Sequence, residues 1–403
     1  MAGYVDLLRM PGVARIIAAQ LTARLPAGML SLSVLLHVER VHGSYAAAGL
    51  VLAATSIGQA ISGPLTSRWM GAWGMRRVLS LTLVICAAAV FALALAPLPV
   101  PWLMAIALVA GLSTPPIQPA VRTIYPKLVN SRQLTPLFSL DASAQEIIWV
   151  AGPVVATFVA TQVSTSAAIL LCGVLLVGGG IWFIASPEVG RVRIPRSKRD
   201  FGTVLGKPTV LLATVTGFLL VGSCAAIEAG VVAVFGHDGP QAGIILAIWS
   251  IGSLAGGLAL GHIGMSPWSL ARRMLVVFVG AGAALAMANE FWWLAITLLV
   301  SGIGIAPALA VIFASVSSTV KFSDTAEAYG WVGTGQLIGA AIGSAIAGFL
   351  IDAHGAVGGF WAAAGFAAIG VLVPAIYHRA QPDLRGRDAG PIPDTEPVPV
   401  QPS

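Results

Sequence analysis

The chain alternates long apolar runs with short polar breaks. The runs fall near residues 14–38, 46–67, 78–97, 101–122, 136–162 and 164–186, then 208–235, 241–264, 271–288, 291–319, 326–352 and 355–378. A helix needs about 20 consecutive apolar residues to cross the hydrocarbon core of a bilayer, and each run comes near that length. Strands of a membrane barrel would be about ten residues long and alternate in polarity, which these runs do not. The pattern predicts an all-α integral membrane protein with twelve spans, six on each side of a basic stretch.

Charge fixes the expected orientation. Of the 22 Lys and Arg residues, 20 fall in the two termini or in the breaks after spans 2, 4, 6, 8 and 10. Arg40 alone lies in the other set of breaks, and Arg24 lies inside span 1. Positive charge collects on the cytoplasmic side of membrane proteins, so both termini are expected in the cytoplasm. The expected organisation is a six-helix half at 1–186, a cytoplasmic linker at 187–207 and a second half at 208–380. A Pro-rich tail at 381–403 is expected to be disordered.

Composition agrees. Hydrophobic residues make up 57% of 403 positions and charged residues 9%, against about 25% charge in a soluble domain. Basic residues scattered over short loops do not make the continuous surface that nucleic acid needs. Cys86, Cys172 and Cys224 lie inside apolar runs without metal-ligand spacing. The segment Gly202–Pro208 comes nearest to a phosphate-binding loop, but it is one residue short and ends in Pro rather than Ser or Thr. No enzymatic motif, metal site or cofactor is expected.

The two halves resemble each other. Residues 48–63 and 242–257 are identical at 8 of 16 positions, at an offset of 194. Gln145, Ile147, Gly152, Ala156 and Phe158 recur as Gln336, Ile338, Gly343, Ala347 and Phe349 at an offset of 191. Span 2 therefore maps onto span 8, and span 5 onto span 11. A parallel repeat of this kind is a transporter architecture with its binding site between the halves.

Six plus six spans, a basic linker and this repeat resemble the Major Facilitator Superfamily over roughly residues 5–380. The family's motif between spans 2 and 3 is matched by Gly63, Arg68, Gly74, Arg76 and Arg77, with Ser67 where the motif has Asp. Trp69–Trp73 reads as a lengthening of that loop. Gly152-Pro153 in span 5 resembles the motif of the drug-antiporter branch. The resemblance implies that spans 3, 6, 9 and 12 lie outermost and that spans 1 and 5 pack together. It also implies a bacterial inner-membrane protein, monomeric, moving a small molecule by alternating access. Proton-coupled efflux is the leading expectation, with metabolite uptake as its rival. A non-transporting receptor or scaffold is the reading from another class.

Charge inside the membrane is costly and therefore informative. Arg24, Glu146 and Glu228 are such charges. Glu146 is a candidate for proton coupling, or else it neutralises Arg24 as a structural ion pair with the two side chains adjacent. Glu228 has the same two readings. Gln59, Gln118, Gln145 and Gln336 are candidates to bind substrate or to tie helices together. Trp149 and Trp249, mid-span, either line a cavity or pack. Arg122 and Asp141 are expected to form a gate-type salt bridge. Pro115, Pro116 and Pro119 in span 4, and Pro307 in span 10, are expected to break their helices mid-membrane.

Overall fold

The computed structural model describes residues 4–95, 98–197, 200–235, 241–260, 263–385 and 389–394. Among these, twelve helices are long and apolar enough to cross a membrane. Spans 1 to 6 are Val13–His42, Ala47–Trp73, Met75–Leu95, Val100–Lys127, Arg132–Gln162 and Thr165–Ala185. Spans 7 to 12 are Pro208–Phe235, Gln241–Leu260, Ser269–Met287, Phe291–Thr319, Phe322–His354 and Val357–Ile376. The end of the bundle that carries the termini and the central linker is called the linker side below. Lys198, Arg199 and Arg387 of the basic set lie outside the described residues.

Lipid tails are as apolar as leucine, so burial of apolar area does not drive helices together in a membrane. Small residues that admit close approach do. The repeat works this way. A Cβ on Gly152 of span 5 would meet the Gly28 backbone of span 1 at 2.7 Å, and the equivalent Gly343 of span 11 lies as close to Gly222 of span 7. Gly58 and Gly111 join spans 2 and 4, as Gly252 and Gly302 join spans 8 and 10. The sequence repeat is thus a repeat of close helix crossings.

Prolines act more selectively than expected. Span 4 does break, into Val100–Leu112 and Ile117–Ile124 around Pro115-Pro116. Pro119 sits in the first turn of the second piece, where a missing N–H costs nothing. Span 10 runs unbroken from Phe291 to Thr319 with Pro307 inside it. The Pro307 carbonyl accepts from Arg273 at 2.7 Å. Trp69–Trp73, expected in a loop, instead extends span 2 as helix, with Trp69 and Trp73 stacked at 4.9 Å.

The described part of the tail is packed, against the expectation of disorder. Leu384 N–H donates to Met265 at 2.9 Å. Ile392 exchanges backbone hydrogen bonds with Val320 and Phe322, both at 3.0 Å. Leu384 and Ala389 are buried. A few apolar residues among the prolines suffice to strap the tail across the loops before spans 9 and 11.

Candidate functional site

Two polar centres occupy the bundle. The first lies within the first half and is built around Asp141, which is fully buried on span 5. Asp141 accepts from Tyr125 at 2.9 Å, from Gln20 at 3.1 Å, and from Arg122 and Gln145 at 3.3 Å. Arg24 joins the cluster indirectly. It donates to Gln20 and Gln145, each at 2.8 Å, and these two amides in turn donate to Asp141. The Gln118 amide lies against Arg122, and with its oxygen oriented that way it accepts from both terminal nitrogens at 2.7 Å. The Arg122 guanidinium also lies 3.3 Å from the centre of the Phe313 ring on span 10, in the other half. Arg122 and Asp141 thus pair as expected, but inside the protein rather than at its surface.

The second centre lies between the halves. Ser253 of span 8 donates to Glu146 of span 5 at 2.7 Å. Glu228 of span 7 comes within electrostatic reach of Glu146, and Cys224 lies beside both. Glu228 is exposed on the surface of span 7.

Arg24 and Glu146 are therefore not partners. Spans 1 and 5 do pack together, but neighbouring residues on a helix point about 100° apart. Gln145 takes the direction toward span 1, and Glu146 takes the direction toward span 8.

The remaining candidates divide. Gln145 and Gln118 are structural members of the first centre. Gln59 and Gln336 make no side-chain hydrogen bond among the described residues, and Gln336 lies along Gly217 of span 7. Trp249 is buried with its indole N–H unpartnered, whereas Trp149 is exposed. Pro153 continues span 5 without breaking it.

Contacts between the halves cluster on the linker side. Arg68 of span 2 pairs with Glu327 of span 11 at 2.8 Å. Thr334 donates to the Ala60 carbonyl at 2.9 Å, and Ser139 to the Gly257 carbonyl at 2.6 Å. Tyr4 reaches the same Gly257 carbonyl at 3.1 Å. Gly330 lies directly against Gly63 and Pro64. Among the described residues no hydrogen bond or ion pair joins the halves beyond Glu146–Ser253 toward the far side. The molecule is closed on the linker side.

Glu327 was not anticipated from sequence, yet it is a hub. Besides Arg68 it accepts from the Gly202 N–H of the linker at 2.8 Å and from the Trp331 indole at 3.4 Å. The signal that could have found it is Arg68 itself, a motif arginine whose usual Asp neighbour is Ser67. Gly74 ends span 2 with a positive φ of 91°, a conformation that side chains disfavour. Arg76 donates to the Ile184 and Ser186 carbonyls at 3.2 and 3.3 Å, and Arg77 is exposed.

Twelve spans in two repeated halves, with charged groups buried within and between them, define a membrane transporter rather than an enzyme. The chain belongs to the Major Facilitator Superfamily, whose family model matches residues 16–263 and 222–400. No curated protein matches it in sequence. Among solved structures it is similar to the human organic anion transporter MFSD10 (TETRAN), at 15% identity and a TM-score of 0.70, covering 90% of this chain and 98% of that one. It is also similar to a bacterial homologue of the iron transporter ferroportin in its outward-facing state, at 13% identity and a TM-score of 0.73, covering 92% and 99%. At these identities the likeness extends to the fold alone.

Proposed function

We propose that the protein is a proton-coupled exporter of a small, partly apolar molecule, working by alternating access in a bacterial inner membrane with both termini in the cytoplasm. The observation that carries this reading is the contact of Glu146 with Ser253, beside Glu228. A carboxylate from one half meets a hydroxyl from the other at mid-membrane, with a second carboxylate facing the same space. A proton gained or lost there changes the charge at the surface where the halves must part, which is what a coupled conformational switch requires. With the linker side cytoplasmic, as the positive charge suggests, the closed linker side corresponds to an outward-facing conformation.

The test is purified Glu146→Gln in liposomes. Exchange of substrate down its own gradient should survive, while uphill transport driven by an imposed pH gradient is lost. Undiminished uphill transport by well-folded variant would end the proposal.

A second reading concerns the cargo. The first centre holds two guanidinium groups, Arg24 and Arg122, against the single carboxylate of Asp141. This surplus of positive charge favours a substrate that carries an anionic group, as the cargo of the human organic anion transporter does. Competition of organic anions against organic cations for transport distinguishes the two.

A further inference from the structure

We propose that the linker side of the first half holds a specific site for the phosphate headgroup of an anionic membrane phospholipid. A cavity of about 380 Å³ opens between the ends of spans 2 and 3 and the start of the linker. Arg76, Arg77 and Arg193 line it, and no acidic residue does. Arg77 and Arg193 are exposed and make no hydrogen bond or ion pair among the described residues. Arg76 is held in place by the Ile184 and Ser186 carbonyls and lies against Gly190, where a Cβ would meet its guanidinium carbon at 2.6 Å. The site therefore combines one fixed and two free guanidinium groups, and guanidinium forks match the geometry of phosphate oxygens.

The surroundings select a lipid over a soluble anion. Arg77 heads a helical stripe of span 3 that continues at i+4 and i+7 as Leu81 and Val84, which are 50% and 67% exposed. Trp73 at the end of span 2 is half exposed and lines the cavity itself, and Ile181 and Trp182 are exposed near the end of span 6, within the last turn and a half before Ala185. Apolar side chains at this level face acyl chains, and exposed tryptophans sit at headgroup depth. A phosphodiester on the three arginines would thus have its chains run down the Leu81–Val84 stripe. Basic pockets at the ends of membrane helices favour anionic headgroups by about 1 kcal/mol for each cation near the surface.

The experiment uses full-length protein stripped of lipid in neutral detergent at near-physiological salt. Mixed micelles carrying phosphatidylglycerol or phosphatidylcholine are titrated in, with thermal unfolding and native mass spectrometry as readouts. Phosphatidylglycerol should raise the unfolding temperature and remain bound, and phosphatidylcholine should not. Arg77→Gln with Arg193→Gln should keep the lipid-free unfolding temperature and bind phosphatidylglycerol roughly thirtyfold more weakly. Gly190→Ala, which displaces Arg76, should weaken it further. Arg379→Gln, an exposed arginine on the other half, should leave binding unchanged. The proposal is overturned if the double variant binds like the parent, or if Arg379→Gln weakens binding as much. It is also overturned if inorganic phosphate at equal concentration reproduces the stabilisation, since the site would then serve a soluble anion.

Discussion

The Arg68 guanidinium donates to Glu327 at 2.8 Å across the two halves of the molecule, with the Glu327 side chain 5% exposed and that of Arg68 25% exposed. The same carboxylate accepts the Gly202 N–H, so the linker is fastened to the contact that holds the halves together. Phe201 reinforces this placement, with its ring 5.6 Å from that of Trp331 and the Arg68 guanidinium 5.8 Å above it. The linker is therefore part of the closure on its side, not a slack tether.

Arg68→Gln and Glu327→Gln should each loosen that closure. A hydrogen bond to a charged group contributes about 1.5–3 kcal/mol, and the partial exposure of Arg68 argues for the lower end. Spin labels at Arg132 and Lys321, exposed residues on opposite halves, should report a longer-distance population in either variant. The double variant should fall short of the sum of the single ones, because the Arg68–Glu327 contact is lost in each.

Gly330 and Gly63 should differ in their tolerance of alanine. A Cβ on Gly330 would lie 2.7 Å from both the Gly63 carbonyl oxygen and the Pro64 Cα, which are backbone atoms and cannot step aside. A Cβ on Gly63 would lie 3.0 Å from the Thr334 hydroxyl, a side-chain atom that can give by a few tenths of an ångström at the expense of its one bond to the Ala60 carbonyl. Gly330→Ala should therefore shift the label distances toward the opened linker side, and Gly63→Ala should do so far less. Equal shifts would mean that the halves are not this tightly apposed.

Arg24 should be coupled to Gln145 and not to Glu146. Arg24→Ala with Gln145→Ala should depart from additivity in thermal stability by about 0.5–3 kcal/mol, as residues of one hydrogen-bonded network do. Arg24→Ala with Glu146→Gln should add within roughly 0.5 kcal/mol. Asp141→Asn should be the most damaging change in the cluster, because it leaves Arg122 without its buried counter-charge. Breaking a buried pair in this way costs about 3–5 kcal/mol. Unfolding temperatures and membrane yields of the purified variants measure all three.

These outcomes mark what sequence could and could not give. The twelve spans are legible because membrane thickness sets their length and because charge is excluded from them. The Arg122–Asp141 pair is legible because two opposite charges at similar depth on adjacent spans have few other partners. The partner of Glu146 is not legible. That residue lies one position from Gln145, and which of the two faces span 1 depends on helix rotation, which run lengths do not encode. Glu327 escaped because it lies at the linker-side edge of its apolar run, where a carboxylate reads as solvated. The tail escaped because its composition is that of a disordered segment, while the few apolar residues among its described positions, Leu384, Ala389 and Ile392, are what dock.

The docking of the tail makes its own forecast. Ile392 uses both its N–H and its carbonyl, on Val320 and Phe322, beside the start of span 11. Ile392→Pro removes the N–H and keeps the carbonyl, at the cost of the partly exposed Ile side chain. It should lower thermal stability by about 1 kcal/mol, the net worth of one hydrogen bond. A chain ending at residue 388 should lose at least as much. Unchanged unfolding temperature in both would show that the strap contributes nothing to the second half.

The hydroxyl of Ser253 separates a coupling role for Glu146 from a merely structural one. In the conformation closed on the linker side, Ser253 donates to Glu146 at 2.7 Å, and Glu228 shares the space. Ser253→Ala removes a donor of near-equal volume from the opposite half and leaves both carboxylates in place. If Glu146 serves only to join the halves, the variant should lose closed population by about 1 kcal/mol at every pH, because one hydrogen bond is gone. If Glu146 is the coupling group, the loss should depend on pH. A charged carboxylate gains more from the hydroxyl than a neutral one does, so the difference between variant and parent should be larger at high pH than at low pH. Glu228→Gln provides the counterpart. It removes one of the two carboxylates at this surface between the halves, so the pH at which the conformations interconvert should be displaced from that of the parent. Label distances recorded across a pH series for parent, Ser253→Ala and Glu228→Gln read both effects. A uniform offset for the first variant together with no displacement for the second would leave Glu146 as a structural contact.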